Sequence, residues 1–255
     1  MYIDGRFTVS KSGATREIID PGNGQLIANV PEGTREDVVL AINAARKAFD
    51  EGAWKKTSAL DRSKLLFKVA DLIRANAKML AELETRNCGK PLAEAEYDVG
   101  DAANCFEFYA GLVTKIHGET MSVPANSFSY VLREPIGVCG QIIPWNFPLL
   151  MAAWKLAPAL AAGNTVILKP SELTPMTAIE LFKLIDQCGF PAGVVNLITG
   201  SGVGAGEELA MNSMVDKVAF TGGTVSVLTQ FDGQFSTIND VRCMLKNTQR
   251  PCCAQ

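Results

Sequence analysis

The sequence predicts an α/β protein with a doubly wound parallel sheet, preceded by helices and a strand arm. Two observations carry that expectation. Short apolar runs follow one another at 138–143, 165–168, 194–198 and 217–220, and each gap but the last holds a helical pattern. Strand, helix, strand, helix, strand at this spacing marks parallel pairing through crossover helices. The chain before about Gly118, in contrast, recurs at helical spacing.

In chain order, Thr34 followed by Asp37 reads as a capping box, with Val38, Ala41, Ile42, Ala45 and Phe49 behind it on one helical face. A second stripe, Leu65, Leu66, Val69, Leu72 and Ile73, continues toward Met79, Leu80 and Leu83 until Asn87, Gly89 and Pro91 end it. A third runs through Val99, Ala102, Phe106, Tyr109 and Val113. All three are core-facing helices without functional content. From Gly118 the period changes: 128–132 alternates as a half-buried strand and Arg133-Glu134-Pro135-Ile136-Gly137 bends the chain, so 118–135 forms the arm. Between the apolar runs, 149–162 reads as a helix kinked at Pro158 and stopped by Gly163-Asn164. The next helix opens with Thr174 as N-cap and Pro175 at its first position, buries Ala178, Leu181, Phe182 and Ile185, and closes at Gly189.

Composition narrows the chemistry. The 255 residues carry 24 basic and 27 acidic side chains, a formal net charge of −3 with the single histidine, His117, neutral. Hydrophobic residues at 47% and charged residues at 20% suit a soluble globular protein and exclude disorder as the main state. The absence of a Lys/Arg-rich run argues against nucleic acid or an anionic membrane surface as partner. One histidine leaves no means of building a His-clustered metal site, so no metal is expected. Seven cysteines, an odd count without a C-x2-C pair, read as reduced thiols. No apolar signal region follows the start, and no stretch reaches the ~18 apolar residues of a membrane span. A cytoplasmic location is expected.

In open α/β sheets ligands lie beyond the carboxyl ends of the strands. The first run is followed by Pro144-Trp145-Asn146-Phe147-Pro148, where two prolines stiffen the backbone around an amide. Asn146 there is either an oxyanion donor or the cap of a packed turn. Lys169-Pro170-Ser171-Glu172 follows the second run, putting an ammonium and a carboxylate where a nucleotide ribose would sit; a carboxylate there favours NAD and disfavours NADP. Taken alone, such a pair is usually solvated. Gly200-Ser201-Gly202-Val203-Gly204-Ala205-Gly206 then leads into a helical Glu207-Glu208-Leu209-Ala210, offering backbone N–H groups to a pyrophosphate, although it is not G-x-G-x-x-G. The fourth run ends in Phe220-Thr221-Gly222-Gly223.

In this order and spacing, those stretches, with Thr174-Pro175, Phe190-Pro191-Ala192-Gly193 and Val218-Ala219-Phe220, resemble the aldehyde dehydrogenase superfamily over about 1–224. Gly89-Lys90-Pro91-Leu92 and Cys105-Phe106-Glu107-Phe108-Tyr109-Ala110 look most like its betaine-aldehyde and aminoaldehyde branch. The resemblance implies a Rossmann-like coenzyme domain and NAD-dependent oxidation of an aldehyde to an acid, by way of a cysteine thiolate, an oxyanion held by Asn146, and a glutamate that activates water. It implies cofactor contacts at Ile143, Pro144, Trp145, Lys169, Ser171, Glu172, Gly202, Phe220, Thr221, Gly222 and Gly223, and a homo-oligomer bridged by the strand arm.

The chain departs from the family beyond Thr224. The Glu-Leu-Gly-Gly and Gly-Gln-x-Cys motifs are absent; residues 225–255 contain no glutamate, and Cys243, Cys252 and Cys253 lack a neighbouring base. The expectation is therefore an incomplete fold: an N-terminal half, 1–224, joined to a divergent, poorly structured tail, 225–255, that leaves the Lys217–Phe220 strand uncovered and promotes self-association. The alternative function is a non-catalytic module that binds nucleotide or a partner subunit.

Overall fold

The structure, a computed structural model, describes residues 1–124, 126–223 and 243–245. The main sheet has seven strands in the order β11-β10-β7-β8-β9-β1-β2. Its centre is parallel: β10 (Lys217–Phe220), β7 (Val138–Ile142), β8 (Thr165–Lys169) and β9 (Val195–Leu197) run together, with Val138 opposite Thr165 and Val166 opposite Val195. On one side β1 (Tyr2–Ile3) pairs antiparallel with β9 and β2 (Arg6–Phe7) with β1. Two hairpins stand apart, β3 (Thr15–Ile19) with β4 (Leu26–Pro31), and β5 (Glu119–Met121) with β6 (Ser129–Val131).

Both β7 and β8 are buried along their whole length, as parallel strands covered on two faces must be. On one face Val138, Ile142 and Ile167 pack with Val38, Ala41 and Ile42 of α1 (Arg35–Asp50) and Leu209 of α7 (Glu207–Met211). On the other, Cys139, Val166 and Leu168 join a core built by α2 (Ala59–Ala75), α3 (Ala77–Cys88), α4 (Leu92–Leu112), α5 (Pro148–Ala161) and α6 (Met176–Asp186). Trp54, 2% exposed, locks the layers by donating its indole N–H to the carbonyl of Asn164 at 3.1 Å.

The doubly wound sheet and the three helical stripes stand as expected, with local corrections; the arm forms as the β5–β6 hairpin, but 128–132 is not half-buried, since the strand is only Ser129–Val131 and Phe128, Tyr130, Val131 and Leu132 are exposed. The stripe from Leu65 to Leu83 is broken into α2 and α3 at Asn76, whose side-chain amide donates to the Leu72 carbonyl at 2.8 Å and competes with the helix for that acceptor. Helix α5 runs through Pro158 and ends before Gly163, which takes the left-handed φ of +90° that lets the chain turn into β8. Helix α6 begins one residue late, at Met176, and Thr174 does not cap it: the Thr174 hydroxyl is buried without a partner. Its cap comes from another helix, since Asn87 at the end of α3 accepts the Met176 N–H at 3.0 Å and donates to Leu173 O at 3.1 Å. The four strands before Pro31 were not foreseen; each is short, and β2 is exposed throughout.

The expectations for the tail lie outside the described residues except at β11 (Cys243–Leu245). There the uncovered edge is corrected, because β11 pairs antiparallel with β10, Lys217 opposite Leu245 and Ala219 opposite Cys243. Among the described residues no helix is long and apolar enough to cross a membrane.

The capping box of α1 ties the N-terminal segment to this core. Thr34 Oγ1 accepts the Asp37 N–H, and Asp37 Oδ2 accepts the Thr34 N–H at 2.9 Å and the Ser10 hydroxyl at 2.7 Å, while Oδ1 takes the Lys11 N–H at 3.1 Å. Burial alone would raise the Asp37 pKa, but these bonds outweigh it and hold it below the ordinary value. A depressed pKa contributes stability above the unfolded-state value, near 3.9, that is lost as pH falls through the folded one. Asp37→Ala should cost on the order of 1–3 kcal/mol at pH 7 and much less at pH 3, as denaturant unfolding at the two pH values would report; an equal cost at both would exclude the ionised carboxylate as the cause.

Candidate functional site

The chain runs from β7 outward to β8 and β9 and then returns to the other side of β7 as β10, so the strand order reverses beside β7. In open α/β sheets that reversal opens a crevice beyond the carboxyl ends of the strands. The exits of three strands are stitched together there. Ile143 donates its N–H to Lys169 O at 3.1 Å, and Thr221 donates its N–H to Ile142 O at 3.0 Å. Lys155 of α5 adds a bond of 2.9 Å from its ammonium to Thr221 Oγ1.

Past Ile143, Pro144 is half-buried, and Trp145, Asn146 and Phe147 are exposed; the Asn146 side chain is free of hydrogen bonds among the described residues. The loop is clamped where α5 begins. Glu84 of α3, wholly buried, accepts the Leu149 N–H at 3.2 Å, placing a carboxyl at the positive end of the helix. Lys90, ion-paired with Asp98 and 3.8 Å from Glu84, lies 4.3 Å from the centre of the Phe147 ring. Burial raises the Glu84 pKa, against the lowering by the Leu149 N–H and Lys90.

Lys169 closes β8 in a nearly waterless position, donating to Pro170 O at 3.0 Å with Glu172 Oε2 3.8 Å away. Burial pushes its pKa down while Glu172 and Glu32 pull it up. Ser171 makes the turn that presents Glu172: its hydroxyl accepts the Leu173 N–H and its carbonyl the Thr174 N–H, each at 3.3 Å. Glu172, Trp145, Asn87, Ile18 and Arg16 share the wall of a cavity of about 490 Å³.

The glycine loop after β9 differs from its sequence reading. No regular helix N-terminus stands at Gly202: 202–206 is a wide turn in which Val203 and Gly204 leave helical geometry, and α7 has only five residues. Gly204 permits this with φ +98°. Gly200 is required on two counts, a φ of +139° and a Cβ that would lie 2.8 Å from Gly33 O. Ser201 donates its N–H to Glu32 Oε1 at 3.0 Å, and Glu32 is held by both Nε and Nη2 of Arg16 at 2.6 and 2.8 Å. Phe220 and Thr221 are half-buried, and Gly222 and Gly223 are exposed.

Ile143, Lys169, Glu172 and Thr221 are thus joined directly or through one neighbour. Sequence reasoning missed Arg16, Glu32, Glu84, Asn87 and Asp98. One signal was available: Glu84 stands four residues after Leu80 on the buried stripe of α3, and an acid on such a stripe needs a partner.

Fold and crevice together define a doubly wound α/β domain of the coenzyme-binding kind. The chain belongs to the aldehyde dehydrogenase family, whose pattern matches residues 7–228. It is 53% identical over 224 residues to the betaine aldehyde dehydrogenase of Bacillus subtilis, covering 88% of this chain and 46% of that protein. A mitochondrial family 2 member B4 aldehyde dehydrogenase of Arabidopsis thaliana is 49% identical over 225 residues, covering 88% and 42%. Among solved structures, betaine aldehyde dehydrogenase from Staphylococcus aureus in complex with NAD+ superposes with a TM-score of 0.88 at 44% identity, over 90% of this chain and 47% of that one. The NAD+ complex of an aldehyde dehydrogenase from Bacillus cereus gives 0.88 at 41%, over 90% and 48%. The chain spans about half the length of the relatives it matches.

The clamp on α5 yields a prediction. An acid whose folded pKa is raised stabilises the fold below its unfolded value, near 4.3, and that contribution is lost as pH rises through the folded one. Glu84→Gln should therefore match the parent's melting temperature at pH 5 and exceed it at pH 8. Glu84→Ala, which strands the Leu149 N–H, should lose about 1–3 kcal/mol at both. Melting curves across that range check both variants, and a Gln variant weaker than the parent at pH 8 would exclude the raised pKa.

Proposed function

We propose that this chain is the dinucleotide-binding part of an NAD-dependent aldehyde dehydrogenase, an enzyme that oxidises an aldehyde to a carboxylic acid. The observation that carries it is Lys169 beside Glu172 at the end of β8, 3.8 Å apart, next to the switch point. The residues fit the cofactor. Glu172 is part-exposed and accepts from ribose hydroxyls, Lys169 donates from its buried side, and Ser171 holds the turn between them. Ile143, Pro144 and Trp145 wall the crevice, while the backbone at Gly202 and at Phe220, Thr221, Gly222 and Gly223 faces the pyrophosphate and nicotinamide. The bound dinucleotide supplies a hydride acceptor. Asn146, on a loop clamped at Leu149, has an exposed amide uncommitted among the described residues and available to donate to an oxyanion. NADP is disfavoured because its 2′-phosphate would meet the Glu172 carboxylate.

The nucleophile and the base are assigned to no residue here, because the family motifs that carry them are absent from 225–255. We therefore divide the chain at 224. Residues 1–224 act in nucleotide binding and, through the arm that exposes Phe128 and Tyr130, in contacts between copies of the chain in the cytoplasm. The absence of those motifs from 225–255 favours one alternative, a non-catalytic module that binds nucleotide or a partner subunit.

The 255 residues purified as written should form no NADH with any aldehyde; turnover abolished by Cys252→Ser or Cys253→Ser would show that a nucleophile is present after all. Calorimetry should find tighter binding of NAD than of NADP, and Glu172→Gln should narrow the ratio about fivefold, the weight of one part-exposed charge contact. Equal affinities, unmoved by the substitution, would remove Glu172 from the ribose site.

A further inference from the structure

The β3–β4 hairpin lies outside the main sheet, yet it sends two charges to the crevice. Arg16, on β3, and Glu172, after β8, line the same cavity. Lys169 stands behind Glu172. The cluster therefore holds two cations and two carboxylates, and which carboxylate takes Arg16 decides what charge a ribose would meet.

Arg16 is taken by Glu32. The contact is a two-pronged one through Nε and Nη2, the geometry in which a guanidinium is most firmly oriented. Glu32 Oε1, which accepts from Nη2, also accepts the Ser201 N–H at 3.0 Å. Glu172 keeps only the 3.8 Å approach of Lys169, so its oxygens remain open to hydroxyl donors. Were Glu32 neutral, Glu172 would be the carboxylate left within reach of Arg16 along that cavity. An Arg16–Glu172 pair would occupy the oxygens that accept from the ribose, and it would cancel the charge that repels a 2′-phosphate.

We propose that Glu32 sets the dinucleotide preference by holding Arg16 away from Glu172. Glu32 is a positioning residue: it acts through Arg16 and touches no cofactor atom. This inference rests on the assignment of Glu172 to the adenosine ribose. The direction of the charges agrees with it, since Glu32 has a pKa lowered chiefly by its bond from Arg16, and Arg16 is raised chiefly by Glu32 and to a smaller extent by Glu172.

The test is calorimetry of the 255-residue chain with NAD and with NADP at one fixed salt concentration, for the parent, Glu32→Gln and the double variant Arg16→Gln/Glu32→Gln. Glutamine keeps an acceptor for the Ser201 N–H, so the glycine loop retains its anchor. Glu32→Gln should narrow the NAD-to-NADP ratio about two- to fivefold, the size of one partly exposed charge contact. The double variant, with no guanidinium to release, should return the ratio toward the parent value. A ratio unmoved in Glu32→Gln, or equal losses for both nucleotides, would make Glu32 a loop anchor only and overturn the proposal. A ratio that stays narrow in the double variant would overturn it as well, by removing Arg16 from the cause. If Glu32→Gln does not fold, Arg16→Lys tests the same point, because a lysine cannot be held by a fork and should also narrow the ratio. A parent that binds neither nucleotide would overturn the ribose assignment together with this inference, whereas a parent that prefers NAD with unresponsive variants would overturn this inference alone.

Discussion

The parallel pairing of β7 on both sides is the constraint on which the rest of the structure depends. Because β8 and β10 flank it in the same direction, the connections that lead into them cross opposite faces, α5 into β8 on one and α7 into β10 on the other, and the exits of all three strands open at one end of the sheet. The pairing also fixes composition. Strands buried on both faces cannot alternate apolar with polar, so β7 and β8 read as short continuous runs, and the residues with chemistry are displaced into the loops that follow them.

Those loops are not held by the strands they follow. Each is anchored by a polar side chain sent from another element: Glu84 from α3 to Leu149, Asn87 from the end of α3 to Met176 and Leu173, Glu32 from the β3–β4 hairpin to Ser201, and Lys155 from α5 to Thr221. A buried charge is costly unless paired, so such contacts contribute little net stability compared with an apolar core of the same volume. What they contribute is placement. An apolar contact tolerates sliding, whereas a carboxylate that must accept a particular N–H fixes a loop to within a few tenths of an ångström, and a crevice assembled from four loops needs that accuracy at each.

That division explains what could be read from the sequence. The strands, the helices and the capping box at Thr34 and Asp37 follow from local patterns, period and cap chemistry, which act over a few residues. The loop residues were legible because they stand at strand exits. The break at Asn76 went unread because period alone was followed there and the local bond from its side chain to Leu72 O was not weighed, whereas Thr174 was misread because the deciding bond comes from the folded geometry: the expected cap is displaced by Asn87, 89 residues away in sequence from the Met176 N–H that it accepts. Arg16 and Glu32 were invisible for the same reason. A basic residue on an exposed hairpin looks solvated in sequence, and only the β3–β4 register, which sets Arg16 opposite Val30, brings it to Glu32.

The cover of the sheet is uneven, and the unevenness falls at the switch point. Around β8 and β9 both faces are closed by helices among the described residues. At β10 one face is closed, Val218 packing with Val215 and Leu209, while the other contributes Lys217 and Ala219 to an open groove of about 510 Å³ beside Met151, Trp154 and Pro158 of α5. Trp154 remains 51% exposed there, and the Gln141 Oε1 is buried without a partner. An indole and an orphaned carbonyl oxygen on one wall are poorly served by water. Thr221, which helps bind the exit of β7 to that of β10, lies on the same groove. The groove and the crevice therefore meet at Thr221, so that the open face of β10 and the nucleotide end of the sheet share one residue.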